Sequence, residues 1–110
     1  MLELLLLETP ADFTNRLRDQ KVTEKDTIEL VCELTRPNVQ VKWMKNGSEL
    51  RPSDRVKFIN EGNIYKCVIT DACMTDVEQY MCILPDGKKS KAMVTVEGRL
   101  TYQIICMYTQ

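Results

Sequence analysis

A chain of 110 residues has room for one hydrophobic core of ordinary domain size and not for two. Apolar residues at 44% and charged residues at 28% exclude a disordered segment and a membrane span, and a net charge of −1 leaves no field to draw nucleic acid or an anionic bilayer. Histidine is absent, which removes the commonest general base, the Ser/His/Asp triad and most zinc sites, and the odd count of five cysteines points to a reducing compartment.

The chain opens on Met1-Leu2-Glu3-Leu4-Leu5-Leu6-Leu7-Glu8. Four leucines bounded by Glu3 and Glu8 fall short of the roughly 7 to 15 apolar residues of a secretory signal, so residues 1–12 read as a linker or a first edge strand. Residues 13–20 have no clear period; residues 20–22 read as a short edge strand before the polar turn Thr23-Glu24-Lys25-Asp26. From there apolar and polar residues alternate with period two. Ile28, Leu30, Cys32 and Leu34 share one face of a strand that Arg36-Pro37-Asn38 breaks. Val39, Val41 and Trp43 share a face of the next, which Asn46-Gly47 ends as a tight turn. Val56, Phe58 and Asn60 predict a further strand, Glu61-Gly62-Asn63 a turn, and Tyr65, Cys67 and Ile69 the strand after it. Beyond a connection over residues 71–76, Tyr80, Cys82 and Leu84 mark another strand. Pro85-Asp86-Gly87-Lys88 turns the chain into residues 90–97, where Ala92, Val94 and Val96 share a face. Six or seven short strands with turns between them predict an all-β, two-sheet Greek-key sandwich. Residues 99–108 are apolar and β-prone and lie beyond the last expected strand, as an extension or linker over 98–110.

One constellation ties these strands together. Cys32 stands on one strand, Trp43 on the next, and Cys82 fifty residues after Cys32, with Tyr80 two positions before it and Asp76 closing the approach. In a sandwich the two cysteines face each other across the sheets, the indole covers them, and the tyrosine hydroxyl pins the crossing by returning to upstream backbone. On these residues, on Ile28-Glu29-Leu30-Val31-Cys32-Glu33-Leu34 and on Val41-Lys42-Trp43-Met44-Lys45-Asn46-Gly47, residues 22–97 resemble an immunoglobulin domain. The resemblance is to the intermediate (I-set) type that fills the giant proteins of striated muscle. It implies a structural core of Leu30, Cys32, Trp43, Cys67, Ile69, Asp76, Tyr80 and Cys82, and an ion pair between Arg55 and Asp76. It places the module at residues 13–97. Two positions depart from the family pattern: Glu78 stands where glycine is frequent, and Cys67 where leucine is usual and a small inert hydrophobe would serve.

The resemblance further implies a non-enzymatic module of a sarcomeric or cytoskeletal scaffold in the cytoplasm. Such a module is monomeric, contacts other proteins and neighbouring Ig or fibronectin-like modules, needs no cofactor, and carries Cys32 and Cys82 as free thiols. The alternative is an extracellular module of an adhesion molecule or receptor, with that pair bonded. Asn46-Gly47-Ser48 fits a glycosylation acceptor, but Asn-Gly is also the turn this position needs. Lys88, Lys89 and Lys91 form a small basic tip suited to partner contact. Cys67 and Cys73 lack a second pair at zinc spacing; Asp71, Asp76 and Glu78 lack the ligand pattern of a calcium loop; four glycines, at 47, 62, 87 and 98, build no phosphate cradle. No catalytic constellation is present in the sequence.

Overall fold

The computed structural model describes residues 10–98. The expectations for residues 1–9 and 99–110, Cys106 among them, lie outside the described residues. Nine strands occur among those described: β1 (Phe13–Asn15), β2 (Gln20–Thr23), β3 (Ile28–Leu34), β4 (Lys42–Lys45), β5 (Ser48–Glu49), β6 (Val56–Glu61), β7 (Ile64–Ile69), β8 (Glu78–Ile83) and β9 (Lys89–Glu97). They form two sheets, ordered β1-β3-β7-β6 and β2-β9-β8-β4-β5. Every pairing is antiparallel except β2 with β9, which is parallel.

Alternation decides which side chains meet between the sheets. Along β3 every second residue from Ile28 to Leu34 is buried, along β7 Tyr65, Cys67 and Ile69, and along β9 Ser90, Ala92, Val94 and Val96. The register sets Cys32 beside Tyr65, Leu30 beside Cys67 and Trp43 beside Cys82, so one layer of side chains fills the sandwich. Chain reversal between β4 and β5 puts Asn46 and Gly47 at φ of +49° and +80°, the left-handed pair that a two-residue hairpin demands and that Asn-Gly supplies.

The structure departs from the period-two reading in four places. The second expected strand begins at Lys42 rather than Val39, because the Val39 N–H donates to the Tyr65 hydroxyl (2.9 Å), which itself donates to the Arg36 carbonyl (3.2 Å). A side chain there takes the place of a ladder partner. Phe58 keeps 38% of its surface and Asn60 is exposed, because β6 is the edge strand of its sheet and is flanked by β7 on one side only. The unclear stretch after residue 13 is a crossing: β1 pairs with β3 in one sheet, β2 with β9 in the other, and between them buried Leu17 donates its N–H to Ser90 Oγ at 2.9 Å. Ala11 and Asp12, left outside the sandwich by the expected boundary at residue 13, pack into it. Ala11 is buried, and Asp12 and Thr35 exchange hydrogen bonds of 2.9 and 3.1 Å.

Candidate functional site

Cys32 reaches the middle of the sandwich from β3 and Cys82 from β8 in the opposite sheet, with 3.9 Å between their sulfurs. Both are fully buried, and so is Cys67 on β7. Burial pushes the Cys67 thiol up to about 12, and the hydrogen bond to Cys32, then burial, pushes Cys82 up as well. A thiol that holds its proton in an apolar layer is neither nucleophile nor metal ligand. Trp43 covers this layer and stacks on Phe58, ring centroids 6.2 Å apart.

Asp76 organises the second cluster. It ends a single 3-10 turn (Met74–Asp76) and is buried; Cys73 N–H donates to its Oδ2 at 2.9 Å, and Arg55 Nη2 donates to the same oxygen. Arg55 Nε donates to the Thr70 carbonyl at 3.0 Å, so the guanidinium bridges β7's end to the turn. The Tyr80 hydroxyl donates to the Asp76 carbonyl at 2.7 Å. Burial first, and then the Asp76 charge, raise Tyr80 well above its ordinary phenolic range. The cluster also draws in Thr70 and Cys73, which no sequence spacing singles out. Asp71 is exposed at φ +52°, a turn position that aspartate tolerates. Among the described residues no group of three His, Cys, Asp or Glu side chains converges as a metal site.

The basic tip divides. Lys88 turns back on its own chain, its Nζ 3.1 Å from the Ala11 carbonyl, 3.3 Å from Asp86 and 3.9 Å from Asp12. The Lys88 N–H above all, with its ammonium, holds the Asp86 carboxyl below its ordinary range. Lys89 and Lys91 instead stand on the solvent side of β9. There the register sets Lys89 beside Ile83 and Lys91 beside Met81, with Lys42 and Met44 on the far side of Ile83 and Met81, and Met93 beside Gln79. A shallow groove of about 390 Å³ along this face is lined by Lys42, Met44, Ile83, Leu84 and Pro85 among others. The methionines went unread in the sequence because outward positions count as solvated; the available signal was apolar residues at both phases of β4 and β8.

Two sheets in these orders, a buried tryptophan against a cysteine pair that spans them, and a tyrosine pinned at the corner define an immunoglobulin-type sandwich. Residues 11–97 match the model of the immunoglobulin I-set domain, and the chain belongs to that family. Over 93 residues it is 37% identical to titin of Drosophila melanogaster, which covers 84% of this chain and, to the nearest per cent, 0% of titin. Over 106 residues it is 31% identical to human cardiac-type myosin-binding protein C, covering 94% of this chain and 8% of that protein. The chain thus spans a small fraction of the relatives it matches. Among solved structures, domain I10 from titin superposes with a TM-score of 0.75 at 26% identity, covering 78% of this chain and 97% of that one. A chain of the titin M10–obscurin-like 1 Ig complex gives 0.74 at 29%, covering 82% and 96%. The I-set sandwich is therefore the fold, and the relatives are scaffold proteins of muscle.

Proposed function

We propose that the chain is a structural, non-catalytic I-set module of a sarcomeric or cytoskeletal scaffold, working in the cytoplasm as a single unit strung between neighbouring modules. The observation that carries this reading is that the two ends of the described sandwich lie at opposite ends of one strand. Ala11 lies against Lys88 and the Pro85–Asp86 turn, at the start of β9, and Glu97 lies at the far end of the same strand. Nine strand residues separate the two ends by about 30 Å. Tension between them pulls β2 toward the entry end and β9 toward the exit end. Their parallel ladder, Gln20 beside Val94 through Thr23 beside Glu97, is then loaded in shear across all its bonds together.

Single-molecule stretching through the termini tests this. On an edge strand alternate N–H groups face the ladder, so one of Lys21→Pro and Val22→Pro removes a ladder bond and lowers the unfolding force markedly more than the other. If neither lowers the force, the shear reading is wrong. The compartment is tested separately by alkylating the protein as it is released from cells and counting thiols after unfolding. Five free thiols are expected, and three would place Cys32 and Cys82 in a disulfide and overturn the cytoplasmic assignment.

A further inference from the structure

The solvent faces of the two sheets are built differently. On the four-stranded sheet, rows across the register read Glu29, Val68, Lys57, then Val31, Lys66, Ile59, then Glu33, Ile64, Glu61; apolar residues line this face too, but its charges are mixed in sign. On the five-stranded sheet they read Lys42, Ile83, Lys89 and then Met44, Met81, Lys91, with only Glu49, opposite Met44 on β5, as a carboxylate in these rows. Lys42, Lys89 and Lys91 form no ion pair with any described residue, whereas nearby Asp86 and Glu97 are held by Lys88 and Lys21 and Asp19 by the Met93 N–H. A chain of net charge −1 thus concentrates on one face three cations with no ion-pair partner among the described residues. Strands about 4.8 Å apart put Lys42 and Lys89 roughly 10 Å from each other, either side of Ile83.

Between these cations the floor is apolar. Met44, Met81 and Ile83 are half-buried, and Met93 keeps 42% of its surface in solvent. A merely solvated sheet face would alternate to polar residues here. Methionine side chains repack around whatever they meet, and the groove beside Ile83 and Pro85 has the volume for apolar side chains. We propose that this face docks a protein segment carrying carboxylates around apolar anchors. The proposal rests on the reading of the chain as a scaffold module and names the chemistry of a partner it would hold. Cations around a methionine floor select against both a purely apolar partner and a bare polyanion, since each would leave one half of the surface unmatched.

The test uses the full 110-residue chain, isotopically labelled, and a capped amphipathic peptide of leucine at helical spacing with glutamate between, alongside its glutamine counterpart. Amide shifts are expected on β4, β8 and β9, with the glutamine peptide binding at least about tenfold more weakly. The combined Lys42→Glu, Lys89→Glu and Lys91→Glu variant should lose the glutamate peptide to a similar degree at an unchanged melting temperature. Separately, Met81→Gln should weaken both peptides. Equal binding of the two peptides, shifts on the four-stranded sheet, or no shifts at all would overturn the proposal. So would equal capture by phosphatidylserine vesicles, or self-association through this face in sedimentation, which would assign it to a lipid or to a second copy. The stretching experiment does not depend on these lysines, so failure here leaves the serial-module reading standing.

Discussion

Two carboxylates in adjoining loops are buried to the same degree and held in opposite ways. Asp76 and Glu24 each keep 4% of their surface. Their loops are stitched through Ala72, whose carbonyl accepts the Lys25 N–H at 2.8 Å and whose N–H donates to the Asp26 carbonyl at 2.9 Å. Asp76 receives Cys73 N–H and Arg55 on its carboxylate and Tyr80 on its carbonyl. Neither carboxylate oxygen of Glu24 has a hydrogen-bond partner among the described residues; only its backbone is tied, by N–H to the Glu97 carbonyl at 2.8 Å. Taking a charge from water costs several kcal/mol, offset only by groups aimed at it. Among the described residues, equal burial therefore makes Asp76 a fastening and Glu24 a local cost.

The largest expected effect breaks the first half of that contrast. Asp76→Ala removes the shared acceptor of the Cys73 N–H and Arg55 Nη2, leaving Arg55 its bond to the Thr70 carbonyl, and should cost about 3 kcal/mol, read as a shift of denaturant midpoint at constant slope. Glu24→Gln tests the other half with the opposite sign. It removes the charge, keeps the volume, and should be neutral or stabilise by about 1 kcal/mol. A Glu24→Gln variant as unstable as Asp76→Ala would show that Glu24 has a partner in solution and end the comparison.

The contrast was only half legible beforehand. Asp76 stands at a spacing from Tyr80 and Cys82 that the family shares, so its place at the corner could be read off, and β3, β7 and β9 followed from alternation because one face of each is fully covered. Glu24 sits in a polar turn where a carboxylate looks solvated; its turn is tied by backbone bonds to Glu97 and, through Lys25, to Ala72, far along the chain. The same holds for Lys88, captured by Ala11 across 77 positions, and for Val39, whose ladder partner is replaced by a tyrosine hydroxyl. β1 and β5, three and two residues long, are too short to display a period at all. What a period shows is which face is covered. What covers it, and whether a polar group there is satisfied, is decided by tertiary neighbours.

Tyr80 offers a probe that touches only the Asp76 side. Tyr80→Phe leaves the buried Asp76 carbonyl without its donor and should cost about 1 kcal/mol near neutral pH. Its pH dependence has a fixed sign. The folded state raises both Tyr80 and Cys67, the latter to about 12 from 9.0, so the stability these protons carry is complete below the unfolded values. Stability is then lost as pH climbs above about 9, by up to roughly 1.4 kcal/mol per pH unit for each group. Tyr80→Phe should flatten the fall that begins above pH 10, the phenol's ordinary value, while Glu24→Gln should leave the alkaline limb unchanged. A Tyr80→Phe limb as steep as that of the parent would mean the corner hydroxyl is open to solvent.

The smallest effect lies next to Glu24. Lys25 holds φ +74°, a left-handed conformation that a side chain with a Cβ adopts at a cost of roughly 1–2 kcal/mol and that glycine adopts freely. Asn38, Asn46 and Asp71 share that region, but their short polar side chains tolerate it. Lys25→Gly relieves the strain but gives back part of the gain through the extra freedom of the unfolded chain and through the side-chain interaction it removes, leaving a net change within about 0.5 kcal/mol of the parent. The Lys25 N–H to Ala72 survives the change, so the stitch between the loops is untouched. Placed together, Glu24→Gln and Lys25→Gly share a loop and should not add cleanly. A double variant whose gain equals the sum of the two single gains would show that the costs at residues 24 and 25 are independent, whereas a smaller gain would show that the two changes relieve one shared loop cost.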